Sequence, residues 1–316
     1  MLVGDHPVKP LEGVLPLRDI KQRKADTLAC LNGLSVGDAF GQLFFRTPFS
    51  RNGEPPAGPW RWTDDTAMGL SVVENLFAFN TIDCDDLARR FARRYGAEPS
   101  RGYGGGAHDI LGGIAAGRPW RDEASEAFGG EGSMGNGGAM RAAPIGIFLA
   151  HDLDGAAAAA RRASMVTHFH PEGQVGAVAV ALAAAFAFRA RGQGKPNPGA
   201  FLEAVTTRLP QSEVRRGLEK ARGLSADSSV ETLVTALGNG SRVMAQDTVP
   251  AALWVSSHFL DDYEEALWRT VALGGDMDTN AAIVGGVVAA YTGIAGIPNI
   301  WLTRREPLPP LDETNL

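Results

Sequence analysis

Two short stretches, far apart in the chain, concentrate oxygen ligands. One is Thr63-Asp64-Asp65-Thr66, within Trp60-Arg61-Trp62-Thr63-Asp64-Asp65-Thr66-Ala67-Met68; the other is Gly274-Gly275-Asp276-Met277-Asp278-Thr279-Asn280. Each places carboxylates and a threonine hydroxyl at the start of an apolar, helix-compatible run. Capping alone would ask for one side-chain oxygen, and one first-turn acid would satisfy the helix dipole. Two adjacent acids, Asp64 and Asp65, and two acids one residue apart, Asp276 and Asp278, exceed that need. Like charges this close repel unless a cation or solvent offsets them. An all-oxygen set of this kind suits a hard cation, Mg²⁺ or Mn²⁺. The expectation is that the fold brings the two clusters together. Asp38, in Gly37-Asp38-Ala39-Phe40-Gly41, is a third acidic candidate, although a lone Asp between glycines reads more readily as a turn residue.

Other polar features are weaker. Arg101-Gly102-Tyr103-Gly104-Gly105-Gly106-Ala107-His108 and Gly132-Ser133-Met134-Gly135-Asn136-Gly137-Gly138-Ala139-Met140-Arg141 are glycine-rich loops that run into helical segments. Such loops can present backbone N–H groups to a phosphate or diphosphate, and an interhelical turn is the competing reading. Neither carries the spacing of a dinucleotide or P-loop motif. His168, in Thr167-His168-Phe169-His170-Pro171, reads as a hydrogen-bonding or stacking group for a ligand, or equally as a structural histidine. No third soft ligand stands near it, so the carboxylates account better for a cation.

The elements that must position these groups are helical. Leu28, Leu31, Leu34 and Val36 mark one apolar face, with Gly33, Ser35 and Gly37 permitting close approach of another helix. Met68, Val72, Leu76 and Phe79 mark a second, with Asp83 capping a third that carries Leu87, Phe91 and Tyr95. Arg89-Arg90 with Arg93-Arg94 reads as a solvated face. Pro250 reads as a first-turn proline behind Asp247 and Thr248. Ala281, Gly285, Ala289 and Gly293 recur every fourth residue, which places the final helix centrally against the helix after Thr66. With almost no strand-period alternation, the expectation is an all-α, single compact multi-helix domain over 23–303, an N-terminal arm over 1–22 and a Pro-rich tail over 304–316.

The bulk numbers agree with a globular protein. The 316 residues are 44% hydrophobic and 21% charged, with a net charge of -6. That argues against a nucleic-acid partner. The apolar runs Val175–Phe188 and Ala281–Ile297 read as buried helices rather than membrane spans. Cys30 and Cys84 form no disulfide framework, and the N-terminus lacks a signal-peptide core. A cytoplasmic protein is expected, of unassigned oligomeric state.

Taken together, Gly37–Gly41, Trp62–Thr66, Arg101–Gly104, Gly135–Arg141, Thr167-His168 and Gly274–Ala281 resemble the ordered motifs of the ADP-ribosylglycohydrolase family. The resemblance spans about residues 25–300. It implies an all-α fold, a binuclear magnesium site (Mn²⁺ a substitute) and hydrolysis at C1″ of an ADP-ribose moiety on a protein or small molecule. Carried over by position, Thr63, Asp64, Asp65, Asp276, Asp278 and Thr279 would be metal ligands, with Asp64, Asp65 and Asp278 catalytic. Gly135, Asn136, Gly137, Gly138 and Met140 would cradle the diphosphate and distal ribose. His168 would lie near the adenosine half, and Tyr103 with Gly104 would border the ribose.

This sequence departs from the family's serine-linkage pattern. Gln42-Leu43-Phe44-Phe45 follows the Gly-Asp motif, where members that cleave serine-linked ADP-ribose carry a glutamate. That leans the resemblance towards arginine-linked substrates. Met277 replaces a commoner small or polar residue. Two alternatives stand beside this reading: hydrolysis of a small metabolite such as O-acetyl-ADP-ribose, and a non-catalytic ADP-ribose-binding protein.

Overall fold

The computed structural model describes residues 15–46 and 55–314. Residues 1–14 of the expected arm, 47–54 of the Pro-rich loop before Trp60, and the last two residues of the tail lie outside that range. The described residues form helices α1 (Ile20–Gln42), α2 (Asp64–Phe79), α3 (Cys84–Ala97), α4 (Gly105–Ala115), α5 (Trp120–Glu126), α6 (Gly137–Met140), α7 (Ala143–Phe148) and α8 (Leu153–Met165). There follow α9 (Pro171–Ala190), α10 (Pro198–Thr206), α11 (Glu213–Ala221), α12 (Val230–Leu237), α13 (Ala245–His258), α14 (Tyr263–Ala272), α15 (Met277–Thr292) and α16 (Asn299–Arg304). No sheet occurs among the described residues, only isolated bridges between Trp60 and Arg305 and between Gly135 and Met244. The fold is all-α, as the periodicity predicts.

The centre is the pair α1 and α15, packed along their length. Gly33, Gly37 and Gly41 on α1 face Ala289, Gly285, Ala281 and the Met277 backbone on α15. A Cβ at Gly37 would stand 2.0 Å from the Ala281 carbonyl oxygen. Backbones this close leave no room for a side chain, so two rows of small residues at four-residue spacing specify the pair. This corrects the expectation that α15 lies chiefly against α2: the small-residue stripe is real, but its partner is α1. Around this pair wrap α7, α9, α13 and α14. Helix α9 is long and apolar enough to cross a membrane, yet 94% of its apolar window is buried against other helices.

Two further expectations need correction. Arg90 is not surface: it is fully buried, with its guanidinium against Asp86 and Glu74 and its N–H groups donating to the Asp312 and Thr314 carbonyls. A buried cation persists only when paired and hydrogen-bonded, and here the i−4 acid on its own helix and one from α2 supply the pairing. Pro250 sits inside α13, whose first residue is Ala245, rather than in its first turn. Asp83 does cap α3, accepting from the Asp86 amide.

Candidate metal centre and ligand cleft

The N-terminus of α2 is capped from another helix. Thr63, its N-cap residue, makes no capping bond through its own side chain. Asp38 does the work instead: its Oδ2 accepts from the Thr63 amide (2.8 Å), the Thr66 amide (3.1 Å) and the Thr66 hydroxyl (2.5 Å). The Thr66 amide is the N3 donor that a local cap would satisfy. Asp38 is therefore not a turn residue. It lies within α1, fully buried, and ties α1 to the start of α2.

The second cluster is presented by a sharp turn before α15. Gly274 and Gly275 both have positive φ, +67° and +71°. A Cβ on Gly275 would also strike the Asn239 carbonyl oxygen at 2.2 Å, so this position requires glycine twice over. Asn239 O accepts from the Asp276 amide (3.1 Å) and from Asn280 Nδ2 (2.7 Å), which holds the turn to the segment before α13.

The two clusters converge. One carboxylate oxygen each from Asp38, Asp65 and Asp278 lie within 4.8 Å of one another. Burial, together with the neighbouring acids, raises every member that shifts. Asp38 is pushed to about 6 by burial, against its four hydrogen bonds. Asp64 is pushed to about 7 by burial, then by Asp38. Asp65 and Asp278 rise well above the carboxylate range, by burial and by each other's neighbours. Asp65 is buried, and its Oδ1 has no hydrogen-bond partner. A buried, unpaired oxygen in a knot of like charges calls for a cation or a proton. The all-oxygen donor set fits a hard divalent ion.

Asp64, Asp65, Asp276, Asp278 and Thr279 line one end of a cleft of about 590 Å³. Gly104, Gly135, Asn136, Gly137, Met140 and His168 line it too. Asn136 joins the glycine loop to the acids, donating through Nδ2 to Asp276 Oδ2 (2.6 Å) and to Thr248 Oγ1 (3.0 Å). The loop itself is pinned by pairing with the segment before α13: Asn136 N to Val243 O (3.2 Å) and Ala245 N to Met134 O (3.0 Å).

His168 is fixed by a chain of donors. Arg141, fully buried, donates to Thr167 Oγ1 at 2.7 Å, and Thr167 Oγ1 lies 2.7 Å from His168 Nδ1. A guanidinium only donates, which leaves the Thr167 proton available to Nδ1; in that tautomer Nε2 carries the imidazole hydrogen. Burial and then Arg141 lower the imidazole to about 3, so His168 is neutral, with Nε2 facing Gly135 and Gly137.

Two expected residues stand off the cleft wall, and a third reaches the acids from another side. Tyr103 is buried, edge-on to Tyr95, and is not part of the cleft wall. Gly138 packs towards Ser164, where a Cβ would meet Oγ at 2.4 Å. Thr63 borders a different cavity, and its hydroxyl points to the acids. Several wall residues were missed, among them Phe128, Glu131, Arg242 and Val243. Phe128, 63% exposed and at φ +56°, overhangs Gly106 at the cleft mouth. A strained, exposed aromatic is a functional signal in a structure; in the sequence it was only a phenylalanine before a glycine run.

The ADP-ribosylglycohydrolase family model matches residues 19–314. The chain is 33% identical to mouse (Mus musculus) "ADP-ribosylhydrolase ARH3" over 273 residues, covering 76% of this chain and 72% of that protein. It is 25% identical to "ADP-ribosylarginine hydrolase Tri1" of Serratia proteamaculans over 289 residues, covering 87% and 73%. A solved structure titled "ADP-ribosylglycohydrolase-related protein complex" superposes with a TM-score of 0.65 at 28% identity, covering 91% of this chain and 94% of its own.

Proposed function

Because this chain belongs to the ADP-ribosylglycohydrolase family and is therefore a glycosyl hydrolase of ADP-ribosylated substrates, we propose that it is Mg²⁺-dependent and reverses mono-ADP-ribosylation at C1″, with arginine-linked substrates favoured. The observation that carries this reading is the convergence of Asp38, Asp65 and Asp278 beside a cleft large enough for a dinucleotide-sized ligand. Thr63, Asp64, Asp65, Asp276, Asp278 and Thr279 are the residues we assign to hold two ions, with Asp38 orienting them from behind. Bound there, Mg²⁺ (or Mn²⁺) would supply Lewis acidity that orients ribose hydroxyls and acidifies water.

The chain's own groups do the rest. Asn136 keeps Asp276 aimed while the 135–140 loop lies along the diphosphate. The neutral His168 offers an Nε2–H donor to the ligand, and Phe128 offers a flat face for stacking at the mouth. Asp65 or Asp278 takes a proton from the attacking water as its oxygen bonds to C1″. The C1″ bond to the acceptor breaks with its electron pair going to the acceptor, which gains a proton. The arginine preference is supported by the stretch Gln42-Leu43-Phe44-Phe45, which has no acid where a serine-linkage member carries a glutamate. A cytoplasmic setting goes with this reading, supported by Cys30 and Cys84 being unpaired.

Incubation with arginine-, serine- and acetyl-linked ADP-ribose, with Mg²⁺ and with EDTA, tests it. Mg²⁺-dependent release from the arginine-linked substrate is expected. Release from the acetyl-linked compound alone would favour a small-metabolite hydrolase, and binding without release a non-catalytic protein.

A further inference from the structure

A second cavity, of about 430 Å³, lies across Gly102 from the cleft. Gln42, Arg46, Pro59, Arg61, Thr63 and Arg101 are among its walls. Gly102 lines both cavities. A Cβ at Gly102 would stand 3.3 Å from Asp64 Oδ1 and 3.6 Å from Thr63 Cβ. The second cavity therefore begins within one side chain's width of the acids. The glycine loop, Phe128 and His168 border only the first cavity, so a ligand that fills it with its sugar at the acids has its far end away from Gly102. What is bonded to that sugar leaves over Gly102.

The charge on this second cavity is positive. Arg101 is fully engaged: its guanidinium stacks 3.5 Å from the Trp62 ring centre and donates to Glu306 through both terminal nitrogens, to Glu98 and to the Trp62 carbonyl. Glu98 and Glu306 are thereby held by it, and Glu306 also feels the more distant charge of Arg61. Arg46 and Arg61 are exposed and, among the described residues, neither guanidinium has a hydrogen bond or ion pair. Three arginines stand against two glutamates.

Resting on the hydrolase reading above, we infer that this cavity holds the acceptor side of the substrate and selects acceptors whose modified residue is flanked by acidic residues. Arg46 and Arg61 are the specificity-determining pair. Their exposure keeps each contact modest and sensitive to salt. The expected discrimination is therefore severalfold, about fivefold at low ionic strength, and it sits mainly in KM.

The test compares three substrates of one linkage: an ADP-ribosylated peptide flanked by Asp and Glu, the same peptide flanked by Asn and Gln, and the ADP-ribosylated amino acid alone. The acidic peptide should show the higher kcat/KM, and its advantage should shrink as salt rises. Arg46→Gln with Arg61→Gln should abolish the advantage while changing turnover of the lone amino-acid substrate less than about twofold. Equal kcat/KM for the two peptides, or a preference that survives in the double variant, overturns the inference and leaves the hydrolase reading intact. No release from any of the three overturns that reading, and this inference with it.

Discussion

The Thr63 hydroxyl lies 2.8 Å from Asp38 Oδ1 and 2.9 Å from Asp65 Oδ2. It has one proton to give, so only one of these oxygens can receive it. The other is left to a carboxyl proton or a cation. Thr63→Val removes the bridge at nearly constant volume. It should raise the Mg²⁺ concentration for half-maximal activity by about tenfold or more, with Thr63→Ser close to wild type. A Mg²⁺ titration decides the matter: an unchanged requirement in the valine variant would mean the hydroxyl plays no part in the centre.

Asp65→Asn and Asp278→Asn each remove one charge from the converged group without changing shape. Activity should fall by about 100-fold or more, and metal content in gel-filtered protein should drop. Full activity in both variants would remove these acids from the mechanism.

The acids also predict a pH dependence. Asp38 and Asp64 are raised to about 6 and about 7 from an ordinary 3.8. Between about pH 4 and 7 the folded, ion-free chain thus binds more protons than the unfolded chain. Its stability from these groups is present at low pH and is lost as pH rises. A divalent ion displaces the same protons, so its stabilisation is small near pH 5 and grows past pH 7. Thermal melts in EDTA and in saturating Mg²⁺ should diverge with increasing pH. A Mg²⁺-induced gain in Tm that is flat with pH would contradict this.

Close packing of α1 on α15 sets the last prediction. Gly37→Ala forces a methyl to 2.0 Å from the Ala281 carbonyl oxygen. It should cost about 2–4 kcal/mol in denaturant unfolding, as overpacking at a backbone does. Gly96→Ala, where nothing lies within 4 Å, should be neutral or slightly stabilising, because alanine is the better helix former. Equal effects at the two sites would mean that α1 and α15 can separate without penalty.

These residues show why parts of the site could be read from the sequence and others could not. The doubled acids at 64–65 and 276–278 exceeded what a helix start requires, so their local composition carried the message. Asp38 stood out only as a lone acid that reads more readily as a turn residue, because its role as a cap belongs to a helix it is not part of. The spacing of Gly33, Gly37 and Gly41 was the missed sign that α1 continues through Asp38. That same row was the match for Ala281, Gly285 and Ala289. A small-residue stripe says that a helix will be approached closely, but not by which one. Arg90 looked solvated because i, i+4 arginines on a polar face usually are, and the acid from α2 that makes burial tolerable is distant in the chain. Phe128 had no periodic context at all.

The acids at 38, 65 and 278 meet only once α15 is laid along α1. A nascent polypeptide released from the ribosome short of α15 would have its sugar-facing loops but no centre. Loss of function should thus be all-or-none in C-terminal truncations that cut into α15, rather than graded with the length removed.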